Sequence, residues 1–151
     1  MEMDDETHAK ITKLSKKGDS KAEKGKYSEA LVLYWEAFDL VPEPKTDWDA
    51  ATWIFAAIGD ANFLGDDFQA GVDNLSNAMH CPGAIGNPFI HMRLGQCQFE
   101  VGNLDRAADE LTRAYALEGE EIFEEDDPKY LEFLMTKIDK APKKKSWWKK
   151  N

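Results

Sequence analysis

Residues 87–117, NPFIHMRLGQCQFEVGNLDRAADELTRAYAL, decide the fold of this chain, because they predict two antiparallel helices. Asn87 is a favoured helix cap, and Pro88 follows in the first turn, where a missing N–H has no cost. Gly102 and Asn103 interrupt the first apolar period, and a second period with helical spacing follows them. Gly95 lacks a side chain midway along the first helix, so the two backbones can approach closely there. The stretch therefore predicts a tightly packed helical hairpin.

The same arrangement occurs twice upstream, which makes it a repeat. Gly18, Gly59 and Gly95 occupy one repeat position, at separations a little above a period of about 34 residues. The excess falls in loops, where insertions cost little. Bulky and small apolar residues alternate around these glycines as in the tetratricopeptide signature. The chain thus resembles a tetratricopeptide-repeat (TPR) protein.

The resemblance implies an all-α, TPR-like solenoid. We expect three helix pairs and a C-terminal capping helix, at about residues 11–42, 47–82, 87–118 and 127–140. Asp47 is expected to cap the first helix of the second pair. The helical domain is predicted to comprise residues 1–142, and residues 143–151 form a basic tail with two tryptophans.

The composition is that of a folded, acidic protein. Apolar residues make up 42% of the 151 residues, and the formal net charge is −10. This charge disfavours nucleic acid as a partner and favours a basic protein surface. No segment approaches the roughly 18 apolar residues of a membrane span. The N-terminal residues lack the apolar core of a signal peptide, and Cys81 and Cys97 are expected to be reduced, so we expect a cytoplasmic location.

The resemblance also implies a concave groove lined by the first helix of each pair. Ten groove positions are predicted to contact a partner: Asp19, Glu23, Trp53, Asp60, Phe63, Phe89, Met92, Gln96, Phe99 and Glu100. Aromatic anchors beside carboxylates suit a basic, amphipathic protein segment. The alternative for any single large apolar residue is a place in the core, which is the commoner one. Trp53, Phe89 and Phe99 together favour a binding surface, because monomers avoid exposing such a patch.

A chaperone-docking subclass of TPR domains holds a peptide's C-terminal carboxylate with lysines, arginines and asparagines. The matching positions here are mostly Ser15, Asp19 and Ala57, and Arg93 is the single cation among them. The sequence therefore lacks that carboxylate clamp.

The sequence contains no motif for catalysis, a cofactor or a metal. A P-loop, a dinucleotide fingerprint, a zinc pair and a nucleophile elbow are all missing. His8, His80 and His91 are far apart along the chain. The acidic stretch at residues 118–127 lacks the ligand spacing of a calcium loop, so we expect a solvated linker there. We therefore expect a protein that is not an enzyme, with no cofactor and no bound metal.

A second resemblance concerns function. The run LGQCQFEVGNLDRAADELTRAY, followed by residues 120–123 and 127–130, is similar to small bacterial TPR proteins encoded beside polymorphic toxins. It implies an immunity (antitoxin) protein that binds a basic toxin or effector domain and occludes its active site. The alternative is an adaptor or chaperone that binds short peptide segments in the groove.

The basic tail leaves three interpretations open. Its lysines and the pair Trp147 and Trp148 can contact nucleic acid or an anionic membrane. The tail can equally be an unfolded extension. In the third interpretation, the tryptophans fold back onto the acidic repeats.

Overall fold

The computed structural model describes residues 2–139, in which all regular secondary structure is helical. The seven α-helices are α1 (Asp5–Glu23), α2 (Tyr27–Asp39), α3 (Asp49–Leu64), α4 (Phe68–Ala78), α5 (Pro88–Glu100), α6 (Leu104–Glu118) and α7 (Pro128–Asp139). Two 3-10 turns lie between them, at Lys45–Asp47 and Gly119–Phe123. The predicted all-α class is confirmed. The basic tail lies outside the described residues.

Of the two helix caps predicted from the sequence, one is confirmed and one is wrong. The Asn87 side chain accepts a hydrogen bond from the backbone N–H of Ile90 at 3.2 Å, and Pro88 is the first residue of α5. The predicted cap is therefore confirmed. The prediction for Asp47 is wrong, because that residue lies in a 3-10 turn and Trp48 occupies the cap position of α3 without a side-chain bond.

The three repeat glycines mark the closest approach within each helix pair. A Cβ atom added to Gly59 in α3 would lie 2.3 Å from the Cγ atom of Leu75 in α4. At Gly95 in α5 it would lie 2.8 Å from Cγ of Leu111 in α6, and Gly18 is equally close to α2. Carbon atoms do not approach within such distances, so only a hydrogen atom fits. The glycine pattern thus sets how closely each pair packs.

Three apolar clusters run along the stack. The first joins α1, α2 and α3 through residues such as Ile11 and Ile58, and the second joins α3, α4 and α5. The third includes Leu111 from α6 and the buried residues Tyr130 and Leu134 from α7. Burying each large side chain contributes roughly 1.5–3 kcal/mol before chain entropy is counted. The last helix is therefore an integral part of the fold.

Candidate functional site

The ten predicted contact residues lie on α1, α3 and α5. We call the side of these helices that carries them the groove face. The structure places these residues at very different depths. Asp19, Glu23 and Trp53 are exposed, Asp60, Phe63, Phe89, Phe99 and Glu100 are partly buried, and Met92 and Gln96 are buried.

Three carboxylates converge at the N-terminal end of the groove face. The hydroxyl of buried Tyr34 donates a hydrogen bond of 2.6 Å to Asp19 Oδ1. Burial raises the pKa of Tyr34, and the nearby carboxylates of Asp19, Asp60 and Glu23 raise it further. Asp19 and Glu23 are one helical turn apart on α1, whereas Asp60 comes from α3. This end of the face therefore carries two exposed acids beside a third carboxylate.

Two large apolar side chains on α3 accompany this charge. Trp53 is 40% exposed and Leu64 is 41% exposed. Asp60 lies between them, seven residues after Trp53 and four before Leu64, and this helical spacing puts all three on one side of α3. The α3 surface thus offers two apolar contacts around a carboxylate, which is the combination that the sequence predicts for a partner site.

The C-terminal end of the groove face contains a buried polar network around Arg93. Its Nε atom donates to Asp60 Oδ1 at 2.8 Å, and one terminal nitrogen donates to Gln96 Oε1 at 2.8 Å. The same nitrogen donates to Asp126 Oδ1 at 3.2 Å, and Gln96 Nε2 donates to Asp126 Oδ2 at 3.1 Å. Burial raises the pKa of Asp60, and Arg93 opposes that rise. The network ties α3, α5 and the connection before α7 together.

Aromatic rings surround the network. The Arg93 guanidinium lies 4.3 Å from the ring centroid of Phe63 and 5.1 Å from that of Phe89, within the range of cation–π attraction. The Tyr130 ring packs 6.0 Å from Phe63 and 5.5 Å from Phe99. These contacts place the start of α7 against both α3 and α5.

We call residues 126–134 the strap, because they run across the α5 part of the groove face. Lys129 Nζ lies 2.6 Å from Glu100 Oε1, and the Tyr130 hydroxyl donates to the same oxygen at 3.3 Å. Glu100 is therefore engaged by the chain's own helix rather than free in an open groove.

The strap corrects two expectations. Met92 and Gln96 were expected to be exposed in the groove, but they are only 3% and 0% exposed. Met92 belongs to the same apolar cluster as Phe123 and Tyr130, and Gln96 is bonded to Arg93 and Asp126. The acidic stretch is likewise not wholly a solvated linker, since Asp126 turns inward. That the ten positions contact a partner stays a prediction.

Sequence reasoning missed Arg93, Asp126 and Tyr130 as members of this site. A signal for the first pair existed: Arg93 is the single cation among the groove positions, and an acidic stretch follows the last repeat. A lone guanidinium in a low-dielectric groove needs a carboxylate partner. The apolar period of the last helix predicts that Tyr130 is buried, which is confirmed, but it does not predict that Tyr130 packs against α3 and α5.

Buried His91, Cys81 and Cys97 occupy structural positions, whereas His8 and His80 are exposed. His91 is buried, with Nδ1 2.6 Å from Glu110 Oε2 and with Nε2 accepting from the Gly86 N–H at 2.8 Å. Burial raises the pKa of Cys81 and raises that of Cys97 to about 12. Within residues 2–139 no three histidine, cysteine or acidic side chains are grouped to hold a metal. No helix in that range is long and apolar enough to cross a bilayer.

The chain is similar to known proteins at the level of structure. No protein-family model and no curated protein matches the sequence. The structure is similar to the first TPR domain of Spaghetti (RPAP3) bound to an HSP90 peptide, with a TM-score of 0.66 and 21% identity, covering 88% of this chain and 93% of that one. It is also similar to the C-terminal TPR-containing domain of a Plasmodium falciparum protein, with a TM-score of 0.70 and 18% identity over 95% and 97% of the two chains.

A third similar structure is the type III secretion chaperone SycD of Yersinia enterocolitica in complex with a peptide of the translocator YopD. Its TM-score is 0.66 at 18% identity, covering 87% of this chain and 95% of that one. At such identities the similarity shows the fold and nothing finer. The chain is an α-solenoid of the tetratricopeptide-repeat type, as predicted.

Proposed function

We propose that this chain is a non-catalytic protein-binding module whose partner presents a basic surface. The observation that carries the proposal is the α1–α3 part of the groove face, where Asp19 and Glu23 are exposed and Asp60 lies between exposed Trp53 and Leu64. Apolar anchors give a contact its affinity, and surrounding charges give it specificity and a fast association rate.

Two cations near this face are already paired with acids, which favours a positively charged partner. Arg93 is paired with Asp60 and Asp126, and Lys129 is paired with Glu100. Asp19 and Glu23 are the exposed acids at the N-terminal end, where the exposed cation Lys16 lies on the same side of α1. With a net charge of −10 for the whole chain, a basic partner would be steered towards the molecule. The same charge disfavours nucleic acid and an anionic membrane as partners of the groove face.

The finer proposal is an immunity-type function in the bacterial cytoplasm, in which the chain binds a basic toxin or effector domain and covers its active site. Its support is the sequence resemblance to TPR proteins encoded beside toxins, together with the acidic surface. Occlusion requires no chemistry from the chain. It is therefore compatible with thiols and a histidine that are held in structural contacts.

A peptide-binding adaptor is the second candidate, and a specific observation favours it. Two of the similar solved structures contain a peptide, one from HSP90 and one from YopD. An adaptor of this kind would bind an isolated basic segment along the exposed α1–α3 surface.

The test is affinity capture from the source cell with tagged protein, washed at high salt. Asp19→Lys combined with Glu23→Lys reverses the exposed acids of the groove face. The matched control, Glu36→Lys combined with Asp109→Lys, changes the net charge equally at exposed sites on α2 and α6. Trp53→Ala removes the aromatic anchor without changing charge.

The proposal expects capture by the wild type and by the control, and loss of capture by the Asp19/Glu23 variant and by Trp53→Ala. One basic domain at a one-to-one ratio would support occlusion, whereas many proteins that share a short motif would support the adaptor. Equal capture by the groove-face variant and its control would refute the proposed surface.

A further inference from the structure

An apolar pocket with acidic edges lies outside the groove face, between the 3-10 turn Gly119–Phe123 and α7. Its volume is about 580 Å³, within the range of roughly 300–1,000 Å³ that is usual for ligand-binding pockets. Its apolar lining comes mainly from Phe123, Leu131 and Met135. Leu131 and Met135 are one turn apart on α7 and only partly buried. The fold therefore leaves an apolar concavity beside its last helix.

The edge that residues 2–139 contribute to this pocket is acidic. Glu120, Glu124 and Glu132 line it and are exposed, and the lining residues within that range include no cation. None of these three glutamates takes part in an ion pair within residues 2–139. An occupant that combines a large apolar side chain with several positive charges would satisfy both features of the pocket.

The chain itself contains such a segment immediately after α7. Residues 143–150 read KKKSWWKK, with two adjacent tryptophans between lysines on both sides. We propose that this segment docks in the pocket of its own chain, with a tryptophan on the apolar lining and lysines at the glutamates. The inference goes beyond the proposed function and does not depend on it.

The covalent path allows the contact. Leu131 precedes Asp139, the last residue of α7, by eight residues, which is about 12 Å along a helix. The eight residues from 140 to 147 can span up to about 26 Å when extended. Trp147 can therefore return past Met135 to Leu131. The effective concentration of a segment tethered at this distance is high, so even a modest intrinsic affinity would keep the pocket occupied.

The competing occupants of the pocket are a second copy's basic segment and a separate basic protein. The tethered segment is favoured over both by its proximity and by its matching charge and aromatic content. Occupation would leave fewer free acids on the C-terminal side of the molecule. A basic partner that approached this side would then compete with the chain's own lysines.

The test is paramagnetic relaxation enhancement in the full chain. Ser146→Cys introduces a thiol for a spin label, and the native Cys81 and Cys97 are buried and so protected from mild labelling. The proposal expects broadening of the amide signals of Leu131 and Phe123. It also expects that Trp147→Ser combined with Trp148→Ser removes this broadening.

Charge reversal distinguishes docking from nonspecific proximity. Glu124→Lys combined with Glu132→Lys should abolish the broadening, while the control Glu36→Lys with Asp109→Lys, which changes the net charge equally, should retain it. Broadening confined to the last turn of α7, or unchanged by reversal at the pocket, would overturn the proposal. Broadening that appears only when labelled and unlabelled chains are mixed would overturn it in favour of a second copy. Because no partner is present, these outcomes are independent of the capture experiment.

Discussion

Replacing Arg93 by methionine is the most direct test of whether the strap is held to the groove face as described. Arg93 donates to Asp60, Gln96 and Asp126 from a nearly buried position. Methionine retains a long apolar stem that can still contact the neighbouring rings. The change therefore removes the charge and its hydrogen bonds while leaving most of the packing in place.

The expected loss in the free energy of unfolding depends on the carboxylates that stay partly buried without Arg93. Removing one partner of a fully buried ion pair costs about 3–5 kcal/mol, because the other charge stays buried and unpaired. The side chain of Asp60 is 32% exposed and that of Asp126 is 16% exposed, so water can solvate both carboxylates and offset part of the loss. We expect Arg93→Met to lower the free energy of unfolding by about 2–4 kcal/mol at neutral pH.

The pH dependence of this loss has a definite sign. Burial raises the pKa of Asp60 and Arg93 lowers it, so removing Arg93 leaves burial unopposed and raises the folded-state pKa further. The folded variant then binds more protons than its unfolded state, and its stability falls as pH rises. The deficit relative to the wild type should therefore shrink as pH falls from about 7 to about 3.

The assay is urea unfolding followed by far-UV circular dichroism at several pH values. Arg93→Lys is the matched control, and it should show a smaller loss, because it keeps the charge but cannot bond three acceptors from one planar group. Hydrogen exchange in residues 124–130 should accelerate in Arg93→Met. A loss below about 0.5 kcal/mol, the range of ordinary surface changes, would refute the buried network. A deficit that grows at low pH would refute it as well.

Three further predictions concern the rest of the described fold. Gly59→Ala should lower the free energy of unfolding by about 1–2 kcal/mol in urea titrations, because overpacking against Leu75 outweighs the gain in helix propensity. The loss should vanish when the same substitution is made in a Leu75→Ala variant. Burial raises the pKa of Cys97 to about 12, so a thiol reagent at mildly alkaline pH should modify Cys97 only after denaturant is added. Modification of the native protein at the rate of a free thiol would contradict this prediction. Lys45→Met should lower the free energy of unfolding by about 1 kcal/mol in the same urea assay, because Lys45 Nζ donates to three carbonyl oxygens at the end of α2, at 2.7–3.2 Å. An unchanged unfolding midpoint would contradict that role.

The sequence predicts the helix pairs well because their determinants are local. Gly18, Gly59 and Gly95 each indicate where one helix meets the next in the chain, and short loops leave few alternatives for such neighbours. The Asn87 cap was found for the same reason, since the capping bond spans only three residues. The error at Asp47 is also local, because the 3-10 turn moves the cap of α3 from Asp47 to Trp48, and helix propensities do not locate a helix end that closely.

The strap could not be predicted, because its contacts depend on the path of the chain after the last repeat. Asp126 is 33 residues from Arg93 in sequence, and the repeat alignment says nothing about the direction of the connection between them. Gln96 was assigned to an exposed groove because it falls at a groove-facing position of the repeat. It is buried here because Arg93 and Asp126 satisfy its amide group, and a buried amide with partners has little cost.

The strap also limits what the groove face can bind, and this bears on the choice between the two proposed functions. With α5 covered, the exposed side chains of the face lie on α1 and α3. A peptide that crosses two helices packed about 10 Å apart, a width of about 20 Å, does so with roughly six extended residues. Such a contact falls short of the roughly 1,200–2,000 Å² of a stable protein interface. A peptide that crosses the face in this way should therefore bind only weakly, whereas a folded basic domain can extend beyond the groove face onto neighbouring surfaces. Tight, one-to-one binding would thus require the larger partner that the occlusion proposal demands.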